Sequence, residues 1–467
     1  MVETSQTYRA ELEHVPSAAD FADAISDAPA SAGLLSESEV ESLLRGHAAM
    51  ETVSKEQSQS DVSLLFRTLQ SAYGAYEYFG QEKFDAAEDA VTQWLSSQDD
   101  EIKVSALGEK LQESLAFMLT HDAHAMIYEP AAEEIEAQVR YEYFFADGFF
   151  FSKDVNGSYY MVNDGERWTL SSFSDEHVSV QPTLLQDGRI VYQPTLFALR
   201  KDTVQSSVTL KNSSGKAKIY RLDWTESQPL DVDLGTLDYR LIQEDGLTYV
   251  SLRSLVSGTY DNMLARYARE GAKARGSKAV IYDLRGNVGG SDSWPRKWIQ
   301  SFLGTQNSIE TSMLYAQKNS ALFAAENSES LLPEDEGTCF AREVHGTWYE
   351  NDIPIIVLVD DHCGSSGEGA VQLLKTLDNV LVVGSNTAGY QLCGNISTFT
   401  LPYTGIGVRF GSTLFLYGDG ENVDHRGYVP DVWCDPQDAL ASVLALLKEQ
   451  GVVSADACET VREKIVK

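Results

Sequence analysis

The sequence predicts an α/β protein whose second half carries a largely parallel sheet, preceded by a helical region and a small middle β domain. Two observations predict the sheet. The runs Ala279-Val-Ile-Tyr-Asp-Leu and Pro354-Ile-Ile-Val-Leu-Val are continuously apolar apart from one acid, as in strands buried on both faces. Helical patterns over 261–274, 294–303 and 367–377 alternate with such strands, and that alternation is the grammar of an α/β layer.

The elements follow in order. The first sixty residues are acidic and rich in Ala and Ser, with a helical pattern over 37–50. From Val62 the spacing of Leu64, Leu65, Leu69, Tyr73, Tyr76 and Tyr78 is helical. A second helix is predicted over 84–95, and a third over 104–119 places Leu107, Leu111, Leu115 and Met118 on one face. Residues 1–135 are therefore read as an N-terminal helical region. Residues 136–235 change character, with short aromatic or β-branched runs divided by Asp147-Gly148, Asn156-Gly157, Asp164-Gly165 and Asp187-Gly188. Those dipeptides favour hairpin turns and predict a small antiparallel β domain. Residues 236–467 hold the α/β pattern, with further strands over 247–252 and 380–383.

Composition excludes several classes. The chain has 467 residues, 36 Lys and Arg against 70 Asp and Glu, and a formal charge of −34. Such a field repels phosphate backbones and anionic lipid, so neither nucleic acid nor a membrane surface is the expected partner. No apolar run reaches the ~20 residues that span a bilayer, so no membrane span is expected. The start, MVETSQTYRAELEH, lacks the basic and apolar regions of a leader, and a mature chain would look the same. The five cysteines, Cys339, Cys363, Cys393, Cys434 and Cys458, show no C-x-x-C, and no nearby His has zinc-finger spacing. No metal is expected. One or two disulfides stay open, Cys363 with Cys393 first, beside the alternative of buried thiols. Oligomeric state is not readable.

Two loops at strand ends carry chemistry, where sites in such sheets gather. In Asp283-Leu-Arg-Gly-Asn-Val-Gly-Gly290, glycines let the backbone turn and present N–H groups to an anion. An ordinary strand-to-helix turn would read the same way. The glycine spacing fits neither a P-loop nor a dinucleotide fingerprint. In Asp360-Asp-His-Cys-Gly-Ser-Ser-Gly-Glu-Gly369, a serine sits at a helix start, where free amides stabilise developing negative charge. Ser365-x-x-Glu368 is equally a helix capping box.

Together, strand-DLRGNxGG, strand-xxxxSSGE-helix, VVGSNTAG and RGYVPD, over about residues 240–448, resemble the S41 family of serine peptidases. That family includes C-terminal processing proteases and the tricorn core protease. The resemblance implies a crotonase/ClpP-like catalytic domain, a peptide or protein substrate, no cofactor and an extracytoplasmic setting. It implies Ser365 as nucleophile, with Ser366 as the register alternative. Ser366 and either Gly289 or Gly290 would supply the oxyanion amides, and Asp283, Arg285 and Asn287 would organise the loop.

One branch of the family activates its serine with a lysine in a G-K-G loop. Here Val383-Gly-Ser-Asn-Thr-Ala-Gly389 is followed by Tyr390, so that lysine is absent. The tricorn-like branch uses a histidine, and Asp122-Ala-His124 after the third helix matches its D-G-H pattern. That resemblance implies His124 as general base, a role imidazole suits because its pKa lies near neutrality. Capping of the preceding helix is the plainer reading of His124, and His121 and His362 are its competitors. The branch also implies a carboxylate before the final G-V-x-P-D, assigned to Asp424 with Glu421 as substitute. Two other functions stay open, a non-catalytic peptide- or ligand-binding protein on the same scaffold and an acyl-CoA enzyme of crotonase-like fold.

Overall fold

The computed structural model describes residues 1–25, 35–128, 141–199, 206–258, 260–327, 331–332, 335–418 and 420–466. Its architecture is mixed α/β. At the centre are the parallel neighbours Leu247–Ser251, Ala279–Asp283, Ile355–Val359, Val380–Gly384 and Val432–Trp433. The first four are continuously apolar or nearly so, and both faces are covered. On one side pack the helices Asp261–Glu270, Ser293–Leu303 and Ser366–Leu374, burying Leu264, Trp298 and Leu373. On the other side Ala439–Glu449 buries Val443 and Leu447.

The sheet does not stop at residue 235. Trp433 pairs in parallel with Thr183 of Val178–Leu184, and Ile190–Leu199, Tyr141–Ala146 and Trp224–Glu226 continue the same ten-stranded sheet. The remaining middle strands form a separate five-stranded sheet over Trp168, Val208 and Leu210. Asn156-Gly157, Asp164-Gly165 and Asp187-Gly188 each lie between antiparallel partners as predicted, whereas Asp147-Gly148 joins strands of two different sheets. Asp164 and Gly165 both take positive φ, 53° and 74°, between the paired residues Asn163 and Glu166, the requirement of a two-residue primed turn. The boundary at 135 falls outside the described residues.

The N-terminal helices Lys55–Ala72, Gln81–Ser97 and Val104–Ser114 share one core with the antiparallel strands Cys393–Thr400 and Gly407–Tyr417. Leu69, Leu107, Phe399 and Phe410 are buried within it. The predicted helix over 104–119 is interrupted at Leu115, after which Ala116–Leu119 forms one further turn. Residues 120–125 then lead into Met126–Tyr128, which pairs antiparallel with Gly407–Arg409. A helix at Val2–Glu13 has too few apolar residues to be read from periodicity. Tertiary bonds hold it: Tyr8 Oη donates to Asp431, and Ser5 Oγ accepts from the Asn379 N–H at 2.9 Å. All five cysteines are buried and none forms a disulfide, so Cys363 and Cys393 are not bridged. Among the described residues no helix is long and apolar enough to cross a membrane.

Candidate active site

The strand Ile355–Val359 leads through a short loop into the helix Ser366–Leu374, and Ser365 sits at the junction. Its backbone takes φ 53°, ψ −124°, a region that costs a non-glycine residue about 1–3 kcal/mol and persists only when surroundings enforce it. The enforcing bonds are explicit. The Ser365 N–H donates to Glu368 at 3.1 Å, and the Ser365 carbonyl accepts from the Gly369 N–H and from Gln391 Nε2, both at 2.9 Å.

Glu368 does more than start a helix. Besides the Ser365 N–H it accepts from Thr387 Oγ1 at 2.5 Å, the Gly389 N–H at 2.9 Å and the Tyr390 N–H at 2.8 Å. Burial pushes its carboxyl above the usual range, against the pull of these donors. One carboxyl group thereby ties the 387–390 loop to the serine turn.

The glycine loop meets the same point. A Cβ on Gly289 would lie 2.8 Å from Ser365 Cβ and 3.0 Å from Ser366 N, so only glycine permits this approach. The two glycines differ in their amides. The Gly289 N–H donates to Asn287 Oδ1 at 2.9 Å. Among the described residues neither the Gly290 N–H nor the Ser366 N–H has an intramolecular acceptor. Ser366 Oγ is engaged, donating to the Gly290 carbonyl at 3.0 Å.

Asp283, Arg285 and Asn287 brace this loop from below. Against the penalty of burial, the Arg253 and Arg285 guanidiniums hold the Asp283 carboxyl well below the usual carboxylate range. Their contacts run from 2.6 to 3.1 Å. Asn287 Nδ2 donates to the Leu252 carbonyl at 2.8 Å. Asp360 accepts from the Gly286 N–H at 2.8 Å and the Leu230 N–H at 3.0 Å, joining both loops to the middle region.

His124 follows the broken third helix and is buried, at 3% exposure. Burial, and then the Arg409 charge, push its imidazole down to about 3. The Nδ1 atom has no hydrogen-bond partner. The ring meets Tyr390 edge-on, with centroids 5.1 Å apart, and the Tyr390 ring also lies beside the Gly364 Cα. Among the described residues no hydrogen bond joins His124 to Ser365 Oγ.

Asp424 is buried and accepts only backbone N–H groups, from Ala123 at 2.9 Å, Gln391 at 2.7 Å and Leu392 at 2.8 Å. Burial and neighbouring Asp122 raise its carboxyl well above the usual range. It therefore grips the chain beside His124 rather than the imidazole ring. Asp122 Oδ1 accepts the His124 N–H at 2.9 Å, and Tyr73 Oη donates to Asp122 Oδ2 at 2.8 Å. Glu421 lies exposed, paired with Arg426. His121 Nδ1 lies 3.0 Å from Thr120 Oγ1, and the His362 N–H donates to Asp360 at 3.2 Å.

Ser365 and Ser366 line a cleft of about 730 Å³ together with Gly290, Asp292, Tyr390 and Gln391. No cluster of three or more His, Cys, Asp or Glu placed to hold a metal occurs among the described residues. Sequence reasoning gave no role to Gln391, and none to Glu368 beyond capping. Glu368 lies within the S-S-G-E motif, whereas Gln391 stands two residues after Gly389, outside every motif.

A serine on a constrained strand-to-helix turn, facing two unengaged amides, has the layout of a serine hydrolase site. Residues 246–433 match the model of Peptidase family S41. The match supports a serine peptidase; it includes Ser365, both glycines and Asp424, and excludes His124. Among solved structures, mature CPAF is 13% identical, with a TM-score of 0.44 over 85% of this chain and 98% of that one. The photosystem II D1 C-terminal processing protease is 16% identical, with a TM-score of 0.37 over 81% and 93%. The tricorn protease is 14% identical, with a TM-score of 0.38 over 88% of this chain and 37% of that one. No curated protein matches the chain.

Proposed function

We propose that this chain is a serine peptidase that hydrolyses peptide bonds through an acyl-enzyme, with Ser365 as nucleophile. The observation that carries the reading is the pairing of the strained Ser365 with the unengaged N–H groups of Gly290 and Ser366 at one cleft. Of the two glycines considered, Gly290 takes the oxyanion role because the Gly289 amide is already bonded to Asn287.

In the proposed reaction Ser365 Oγ bonds to the scissile carbonyl carbon while its proton passes to His124. The carbonyl oxygen becomes negative and is held by the two amides. Collapse breaks the C–N bond, the leaving amine takes the proton from His124, and water then hydrolyses the ester by the same steps. The unpartnered Nδ1 supports His124 as acceptor, while its pKa of about 3 makes it a weak base in the unliganded site, and Asp424 positions it through the backbone.

A fluorophosphonate probe tests the reading. The chain is expected to be labelled, and Ser365→Ala is expected to abolish both labelling and peptide cleavage. An unlabelled folded chain, beside a labelled control hydrolase, would overturn the peptidase reading. Labelling that survives Ser365→Ala would reassign the nucleophile, and unchanged turnover in His124→Ala would remove the base. A second reading, peptide capture without turnover, is favoured by the missing hydrogen bond between Ser365 and His124. Tight peptide binding without labelling would select it.

A further inference from the structure

The cleft beside Ser365 is chemically one-sided. The described residues that line it include two carboxylates, Asp292 and Glu326, and no Lys, Arg or His. Apolar surface comes from Phe323, Ile396, Phe415 and Tyr417, within a lining that is otherwise mainly polar. Two acceptors on the lining residues lack a partner. Gln391 is 7% exposed, and its amide orientation is fixed because Nε2 donates to two carbonyls, Ser365 at 2.9 Å and Tyr390 at 3.1 Å. Its Oε1 is thus an acceptor, and it has no donor. Asp292 Oδ1 is likewise buried without a hydrogen-bond partner, while the Ser366 hydroxyl acts as a donor on the same carboxyl. Arg296, the cation that acts on Asp292, is itself tied to Glu310 and to the Ile309 carbonyl.

A buried acceptor without a donor is unfavourable, and a desolvated carboxyl without a cation more so. Both are relieved by a ligand that brings several N–H donors, a positive charge and an aliphatic stem. We propose that this cleft takes a basic side chain of the substrate, arginine or lysine, so that the peptidase acts on basic peptide segments. The inference rests on the peptidase reading for its consequence and on the cleft alone for its binding specificity. The side chains of Phe323, Ile396, Phe415 and Tyr417 accommodate the methylene stem, while Asp292, Gln391 Oε1 and Glu326 receive the charged head. The chain charge of −34 draws such peptides toward the molecule.

Two measurements on the full chain test this separately from turnover. Binding of N-acetyl-arginine amide and N-acetyl-norleucine amide is compared by calorimetry, and cleavage of matched fluorogenic peptides is compared by kcat/KM. Arginine is expected to be favoured about 30-fold or more in both. The arginine-to-norleucine ratio is expected to fall about 10-fold in Asp292→Asn and further with Glu326→Gln added. The ratio cancels any general loss in a weakened variant. Equal or weaker binding of the arginine amide would overturn the inference, whatever the probe labelling shows. A ratio that stays at its wild-type value in the double variant would overturn the assigned residues. A chain that binds arginine selectively but is never labelled would retain the basic cleft and lose the peptidase reading.

Discussion

The Gln391 side-chain amide donates to the Ser365 carbonyl at 2.9 Å, and the Gln391 N–H donates to Asp424 at 2.7 Å. Asp424 also accepts the N–H of Ala123, the residue before His124, at 2.9 Å. The serine turn and the histidine loop are thus joined through one glutamine and one buried aspartate. Removing the donor frees the strained Ser365 turn to shift, and misplacement of about 1 Å costs about 100-fold in rate. Gln391→Leu and Gln391→Glu are both expected to slow fluorophosphonate labelling about 10- to 100-fold. The glutamate keeps the shape and loses the donor, so near-normal labelling of Gln391→Glu would reduce Gln391 to a packing role.

Gly289 tests how closely the two loops must meet. Its φ of 99° disfavours any side chain, and an added Cβ would lie 2.8 Å from Ser365 Cβ. Gly289→Ala is expected to lower kcat/KM by about 100-fold or more through displacement of the serine, with a fall in Tm. Labelling rate and thermal melting measure both. A variant with a lowered Tm and normal labelling would show that the serine turn tolerates the intrusion.

Asp283 lies between Arg253 and Arg285, and all three side chains are buried. Asp283→Asn leaves two guanidiniums facing a neutral amide. Breaking a buried ion pair from one side costs about 3–5 kcal/mol, and the variant is expected to lose that much in denaturant unfolding. Asp283→Asn with wild-type stability would show that the arginines find other partners.

Much of this site was legible because its parts are local. Ala279–Asp283 and Ile355–Val359 read as buried strands from their own apolar runs, and Ser365 with the glycine pair stands directly after them. What escaped depends on distant partners. Trp433 pairs with Thr183, which merges two predicted domains into one sheet, and neither short strand announces that pairing. Gln391, Asp122 and Asp424 act by binding backbone amides or carbonyls, and any chain segment carries those. The helix Val2–Glu13 lacks an apolar stripe and is held by Tyr8 and Ser5 instead. Glu421 matched by position along the chain, yet it extends to the surface and pairs with Arg426.

His124 gives the pH dependence. Its folded-state pKa of about 3 lies below the ordinary imidazole value near 6.5 because burial, then Arg409, disfavour the cation. Between those values the unfolded chain binds a proton that the folded chain does not, so stability falls as pH drops from about 6.5 toward about 3. One such group contributes a slope of about 1.4 kcal/mol per pH unit in that window. Between pH 7 and pH 5 wild type is therefore expected to lose about 2 kcal/mol more than His124→Gln, which cannot titrate. Urea unfolding of both chains at the two pH values measures the difference. Parallel losses in the two chains would mean that His124 is not held neutral by the fold. In the same window kcat/KM is expected to lack a protonation step near 6.5 from His124, since the free enzyme already carries it unprotonated. A pH profile with a limb near 6.5 that disappears in His124→Gln would place the imidazole in a more solvated setting than the one beside Tyr390.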